Sequence, residues 1–427
     1  MNDSGIKYEI HLIQNFAPSN LNRDDTGQPK SATFGGFRRA RISSQCSKRS
    51  TRLQGPMAEL LENQGAVRTR QLIMEIAKAI DTKEEPDERT IEIVAGVFEA
   101  GGLERPAKRS GKVKSQAAEA IGEDGEINGN EGFESGNKTK ILLFLDKMAF
   151  PKLIDVFKEN WDDLAKGNKE VKEKACDKVG RLLFEAVKAP DIALFGRMLE
   201  VKNNTPFGKY NMSVEAACQV AHPISTHKID MEMDFYTAVD DLNPDGETGA
   251  GMMGVVGFNS ACYYRYALVD RDQLARNLAR KTERKNGGWA QGLETQDYEE
   301  ADKVVKAFLE AMIYAIPTGK QNSFAAQNLP SFGLFVKRKG GVPVSLANAF
   351  STPIRPVRDD DDLVGLSVNA LTKHWDAIKE LYGDQGIKVT SCFHLQQEKR
   401  LNGLAGSVKT SVDKAIHEVL RSDEETK

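Results

Sequence analysis

Seven cations lie between Gln28 and Arg52 without an intervening carboxylate: Lys30, Arg38, Arg39, Arg41, Lys48, Arg49 and Arg52. The same stretch holds Gly35-Gly36 and the hydroxyl pair Ser43-Ser44. Glycines let a backbone approach a ligand closely, and a helix N-terminus offers unpaired N–H groups to an anion. Guanidinium and ammonium groups then supply charge. The chemistry these residues suggest is phosphate binding. The whole chain has a formal net charge of -3, so the block is a local concentration of positive charge. Clustering matters more than net charge for affinity toward polyanions.

Other chemistries lack a signal. There is no GxxxxGK[ST], GxSxG or HExxH. His222 and His227 flank Pro223 at a spacing that suits no single helical face, and a structural or hydrogen-bonding role is expected of them. The same holds for His11, in a half-buried strand. The acid pairs Asp24-Asp25 and Asp240-Asp241 could each hold a divalent metal, but adjacent acids are common in turns. The acid run Asp359–Asp362 reads as a solvated helix approach. Five dispersed cysteines without a C-x-x-C pair support neither a zinc knuckle nor a disulfide framework. No catalytic group, metal or cofactor is expected.

A length of 427 residues bounds the chain to two or three domains or one elaborated domain. No apolar run approaches the roughly 20 residues of a membrane helix, and MNDSGIKYEIHL lacks a signal pattern, so a cytoplasmic protein without membrane contact is expected. The basic block sits between a strand, Ile6–Phe16, with the Asn-, Gly- and Pro-rich loop Ala17–Phe37, and a helix starting at Ser43 or Ser44. On that helix Ser44, Lys48 and Arg52 share a face, with Arg49 alongside. Helical spacing marks Ala66–Ile80, Glu88–Glu99, Thr139–Asn160 and Lys169–Lys188. Between the second and third lie a basic loop, Arg105–Lys114, and an acidic Gly-rich run, Gly122–Gly136. The loop reads equally as a second nucleic-acid contact or a solvated segment; the run cannot bury a core.

Further on, Pro190–Met198 and Val214–Ile224 read as strands. Alternation after Ile229 and along Phe258–Leu268 predicts a long hairpin with its tip at Asn243–Gly254. Arg271–Lys281, Asp297–Ile316, Leu363–Leu381 and Val408–Leu420 read as helices, and Phe332–Lys337 and Ile387–His394 as strands. This mixture predicts an α+β fold with helices on one face of a sheet.

Several collinear motifs are similar to those of the CasC family, the backbone subunit of the type I-E CRISPR surveillance complex Cascade. They are LNRDD (Leu21–Asp25), FGGFRRARISSQ (Phe34–Gln45) and KR (Lys48–Arg49), then IALFGRM (Ile192–Met198) and AHPISTHKID (Ala221–Asp230). DFYTAVDDL (Asp234–Leu242), YRYA (Tyr264–Ala267) and SLANAF (Ser345–Phe350) complete the set. The resemblance implies an RRM-like (ferredoxin-like) palm with inserted helical fingers and a β-hairpin thumb. The palm would take residues 1–55, 190–224 and 258–427, the fingers 56–189 and the thumb 225–257. Copies would stack head to tail along one CRISPR RNA, beside other Cascade subunits, leaving guide bases to pair with target DNA.

By the same resemblance Arg23, Arg38, Arg39, Arg41, Lys48, Arg49 and Arg52 would grip the guide backbone. Asn22, Gly35, Gly36, Ser43, Ser44, Gln45, Arg197, His227 and Thr237 join the RNA-binding set. Met198 would wedge beside a base. Tyr236 occupies the second aromatic place before Thr in the thumb, where it would lie at a displaced base. Related backbone subunits of other CRISPR types cut RNA with a loop carboxylate, so the alternative is a metal-dependent RNase using Asp24 or Asp25.

Overall fold

A computed structural model describes residues 5–82, 84–106, 137–199, 201–239, 250–285, 288–395 and 401–421. The basic loop beyond its first two residues, the run Gly122–Gly136, the Asp240-Asp241 pair and most of the hairpin tip lie outside these. Two compact units form: Met1–Ala58 with Gln219–Arg271 and Val305–Lys427, and Glu59–Cys218 with Asp272–Val304.

In the first unit the strand Ile6–Ser19 lies between Phe332–Lys339 and Ala250–Asp270, and Ile387–His394 flanks Phe332–Lys339; every one of these pairs is antiparallel. The expected half-buried alternation along Ile6–Ser19 is not what the structure holds. Tyr8, Ile10 and Leu12 are buried on one face, and Glu9, His11 and Ile13 on the other. The helix Leu363–Tyr382 packs Val368, Leu371 and Trp375 with Ile13, Leu334 and Val336 on the second face. On the first, Lys337 donates to the Arg421 carbonyl, 2.7 Å away, at the end of the helix Val412–Leu420. Helices therefore cover both faces, not one.

That burial forces polar groups on the central strand into a network. Arg338 Nε donates to Glu9 Oε1 at 2.7 Å with both side chains buried. His11 Nδ1 sits 2.9 Å from the Tyr264 hydroxyl, which also accepts from Leu346 N. Burial pushes the Glu9 carboxyl up, but His11 and Arg338 together hold it below the usual carboxylate range.

In the second unit the helices Leu72–Asp81, Glu88–Gly101, Ala149–Glu159 and Lys169–Glu185 surround a core that includes Ile76, Phe98, Leu153, Phe157 and Val179. Two stretches read as helix begin as strand: Ala66–Thr69 pairs with Leu143–Asp146. A short apolar run has no period that separates the two states. Pro190–Met198 errs the other way, since Pro190–Phe195 is a helix with proline in its first turn and all six residues buried. A helix buried all round shows no amphipathic signal. The stretch Val214–Ile224 holds only the short strands Cys218–Val220 and Ile224–Ser225, with Pro223 between them unable to donate to a ladder.

Candidate nucleic-acid interface

The loop after the first strand is folded by its own side chains. Asp24 Oδ1 accepts from Thr26 N at 2.9 Å, Thr26 Oγ1 at 2.7 Å and Gln28 N at 3.0 Å, closing an Asx-type turn. Burial nudges the Asp24 carboxyl up, and the Thr26 and Gln28 hydrogen bonds outweigh it, holding it below its ordinary value. Asn22 is buried and its Oδ1 accepts from Ser43 N at 2.8 Å, tying the loop to the helix start. Arg23, half-buried, bridges to Pro29.

Gly35 and Gly36 form a turn. Ser31–Phe34 pairs with Phe37–Ala40, leaving these two as the connection, with φ of 59° and 82°. Positive φ at both places is the two-residue hairpin turn that glycine favours. A Cβ on Gly35 would also collide with the Ser351 carbonyl, whereas Gly36 faces open space.

The three arginines at this hairpin, Arg38, Arg39 and Arg41, divide sharply. Arg39 is wholly buried. Its guanidinium donates to the carbonyls of Ser225 at 3.0 Å and Phe350 at 2.6 Å, and more weakly to Phe34 and Ser351. Expected to grip a ligand, it is instead buried as a bolt between the hairpin and the backbone at Ser225 and Phe350. Arg38, the adjacent residue on the opposite face, is exposed and donates to Ser31 Oγ. Arg41, half-buried, lies 3.0 Å from His222 Nδ1. Burial first, then Arg41 and Lys30, pull the His222 pKa down, so this exposed imidazole joins a basic cluster as a neutral ring. Arg355, over the Phe37 ring at 5.9 Å, adds another exposed cation. Neither the Arg41–His222 contact nor Arg355 over Phe37 is singled out by spacing, because only the fold brings residues so far apart in sequence together.

Ser43 caps the helix Ser44–Leu53, its hydroxyl accepting from Cys46 N. The buried face is Ser47, Ser50 and Thr51, small side chains that let the helix lie close. Gln45 and Arg49 are exposed; Ser44, Lys48 and Arg52 are half-buried.

The hairpin Glu232–Val239 with Ala250–Asp270 pairs Phe235 with Val255 and Thr237 with Met253. Paired residues share a face, so Met233, Phe235, Thr237, Met253 and Val255 form one side, and its apolar members are 57% to 66% exposed. Tyr236 points to the other side and lies against Gly254, where a Cβ would meet its ring. The two adjacent aromatics thus face opposite ways. At the hairpin base Asn20 Nδ2 donates to Gly257 O at 3.0 Å and to Gly27 O at 3.1 Å, joining it to the Asp24 loop. His227, expected at a ligand, has both ring nitrogens engaged, Nδ1 with Lys228 O and Nε2 with Cys262 N.

In the second unit Gly196–Arg197–Met198 repeats the division seen at Arg38-Arg39. Gly196 has φ of 78°. Arg197 is buried and donates to the carbonyls of Phe144, Leu183 and Met212. Burial, with the nearby Arg280 charge, pulls its pKa down to about 9. Met198, next to it, is 80% exposed. Among the described residues no group of three or more His, Cys, Asp or Glu could hold a metal, and no helix is long and apolar enough to cross a membrane.

The family model of the CT1975-like proteins matches residues 8–420. The chain belongs to the CT1975-like family. It is of the CasC type that the motifs indicated. A solved chain described as "CRISPR RNA-guided surveillance complex, pre-nicking" is 27% identical with a TM-score of 0.74, covering 97% of this chain and 99% of that one. A second, "CRISPR RNA-guided surveillance complex", is 22% identical with a TM-score of 0.63 over 97% and 99%, a likeness of fold. No curated protein matches. In the first unit of this CT1975-like protein Arg38, Gln45, Arg49 and Arg355 are exposed, with Arg41 and Lys30 beside His222.

Proposed function

We propose that this CT1975-like protein is a guide-RNA-binding backbone subunit of a type I-E Cascade-like complex. Copies stack head to tail along one CRISPR RNA in the cytoplasm, alongside other Cascade subunits. The carrying observation is that the frame of the basic block is built from buried polar groups, while Arg38 and Arg49 face solvent. Cations on a helix and a hairpin suit phosphates and sugars, which carry no sequence information. Guide bases left unread by protein then pair with target DNA.

In this reading Arg38, Arg41, Lys48, Arg49 and Arg52 hold the backbone, with Arg23, Ser44 and Gln45 beside them. Asn22, Ser43, Arg39 and His227 keep that surface in shape. Met198 wedges beside a base, and the hairpin acts as a thumb over RNA on the next copy. Its Met233–Phe235–Thr237–Met253–Val255 side supplies one face toward the RNA, and Tyr236, on the other side, lies at the displaced base. Apart from that hairpin, the first unit would carry most of the RRM-like palm. A head-to-tail contact does not close, so the RNA sets filament length.

The subunit does no chemistry of its own in this reading. Asp24 Oδ1 already accepts three hydrogen bonds that shape the loop. Sequencing the nucleic acid that co-purifies with the full chain is the test. Repeat–spacer RNA is expected; absence of RNA, or RNA of unrelated sequence, overturns the reading. Assembled complex given complementary RNA and Mg²⁺ should leave that RNA intact, and cuts abolished by Asp24→Ala would overturn the non-catalytic part.

A further inference from the structure

In the second unit a small ribbon, Arg284-Lys285 paired with Gly288-Trp289, plays no part in the guide-binding reading. The guanidinium of Arg284, directly across from Trp289, lies 4.3 Å from the indole centroid. Arg276, from the helix Arg271–Ala279, lies over the same ring, also at 4.3 Å. Arg276 is anchored by donation to the Gln291 carbonyl at 3.1 Å. Arg284 and Lys285 are exposed. Among the described residues no carboxylate makes an ion-pair contact with Arg284 or Arg276; the Arg276 charge reaches Asp297, whose ion-pair partner is Lys281 at 2.7 Å, and Lys285 has its neighbour Glu283, 3.5 Å away and itself exposed.

Two like charges sharing one ring repel, and stability alone would be better served by a carboxylate at one of these positions. The ring attraction fixes both guanidinium planes, so their N–H forks are ordered before any ligand arrives. An ordered pair of forks with no carboxylate in ion-pair contact is suited to phosphates. Single strands are held by aromatic faces on which bases stack. Here two guanidinium groups already occupy the indole, leaving little face for a base, so the fit is to a backbone whose bases are stacked inside.

We propose that the Arg284–Trp289 ribbon, with Arg276 on the same indole, is a contact for the phosphate backbone of double-stranded DNA, independent of sequence and using none of the residues assigned to the guide RNA. The proposal stands whether or not the guide-RNA reading holds, because it uses none of the same residues.

Binding of a short labelled duplex of arbitrary sequence to the purified full chain, with whatever RNA it carries, tests this across a salt series. Arg284→Glu with Lys285→Glu should weaken duplex binding about tenfold or more and lower the salt slope by about one to two units. RNA co-purification should be unchanged. Lys285→Glu alone leaves the ring contacts in place and should weaken duplex binding about threefold, which keeps the test open if the double variant misfolds. An unchanged duplex affinity and slope would overturn the proposal. So would a loss confined to single-stranded RNA, or a wild-type chain that does not bind duplex at all.

Discussion

Phe34–Arg41 in one unit and Gly196–Met198 in the other meet the same demand with the same device. Each places a glycine at positive φ, a buried arginine whose guanidinium donates to several backbone carbonyls, and an adjacent residue that faces solvent. In the first the exposed neighbour is Arg38, a cation; in the second it is Met198, an apolar side chain. The difference is in what is presented, not in how it is held. An arginine inside a motif is therefore not by itself a ligand contact. Arg39 and Arg197 present nothing, yet they fix the residues that do.

If the buried members are bolts, removing them should cost stability first. Arg39→Ala or Arg197→Ala leaves several buried carbonyls without donors and a cavity besides, so each should lose about 4 kcal/mol in urea unfolding. Arg197→Lys should not restore it, because an ammonium lacks the fork that reaches Phe144, Leu183 and Met212 together. Wild-type stability for either alanine variant would break the comparison.

The sheet core carries the next largest effect. Glu9→Gln removes the buried partner of Arg338 and should cost about 3 kcal/mol at neutral pH. The folded-state pKa of Glu9 lies below the unfolded value near 4.5, so its contribution is full above that value. It is lost as pH falls through the folded value. Wild type should therefore lose stability on acidification below about pH 4.5 more steeply than Glu9→Gln, whose curve should be flatter there.

Gly35→Ala and Gly36→Ala separate strain from collision. Both positions have positive φ, and strain alone costs about 1 to 2 kcal/mol. Only Gly35 would also strike the Ser351 carbonyl, so its variant should be the less stable in a thermal melt. Smallest of all, Arg38→Ala, Arg49→Ala and Met198→Ala should each change stability by less than about 0.5 kcal/mol.

Much of this was legible from residue types. The Ser43 cap, the Ile387–His394 strand and the long hairpin lie where alternation and capping place them. The motifs pointed to the family that the whole-chain match supports. What stayed hidden has a common cause. Burial on both sides erases periodicity, so Pro190–Phe195 gave no helical signal and the covered second face of Ile6–Ser19 gave no apolar one. Whether an arginine points in or out depends on which carbonyls the fold brings near, and Ser225 and Phe350 are far from Arg39 in sequence. Arg355 on Phe37 and His222 beside Arg41 were out of reach for the same reason.

The central claim is that the exposed members of the basic block hold RNA by its phosphates. Guide-RNA affinity of wild type and of Arg38→Ala with Arg49→Ala, each measured across a salt series, tests it most directly. The double variant should bind more weakly at every salt concentration, its log–log salt slope should be shallower by about one to two units, and its urea midpoint should be unchanged. Equal slopes and affinities in a folded double variant would contradict it.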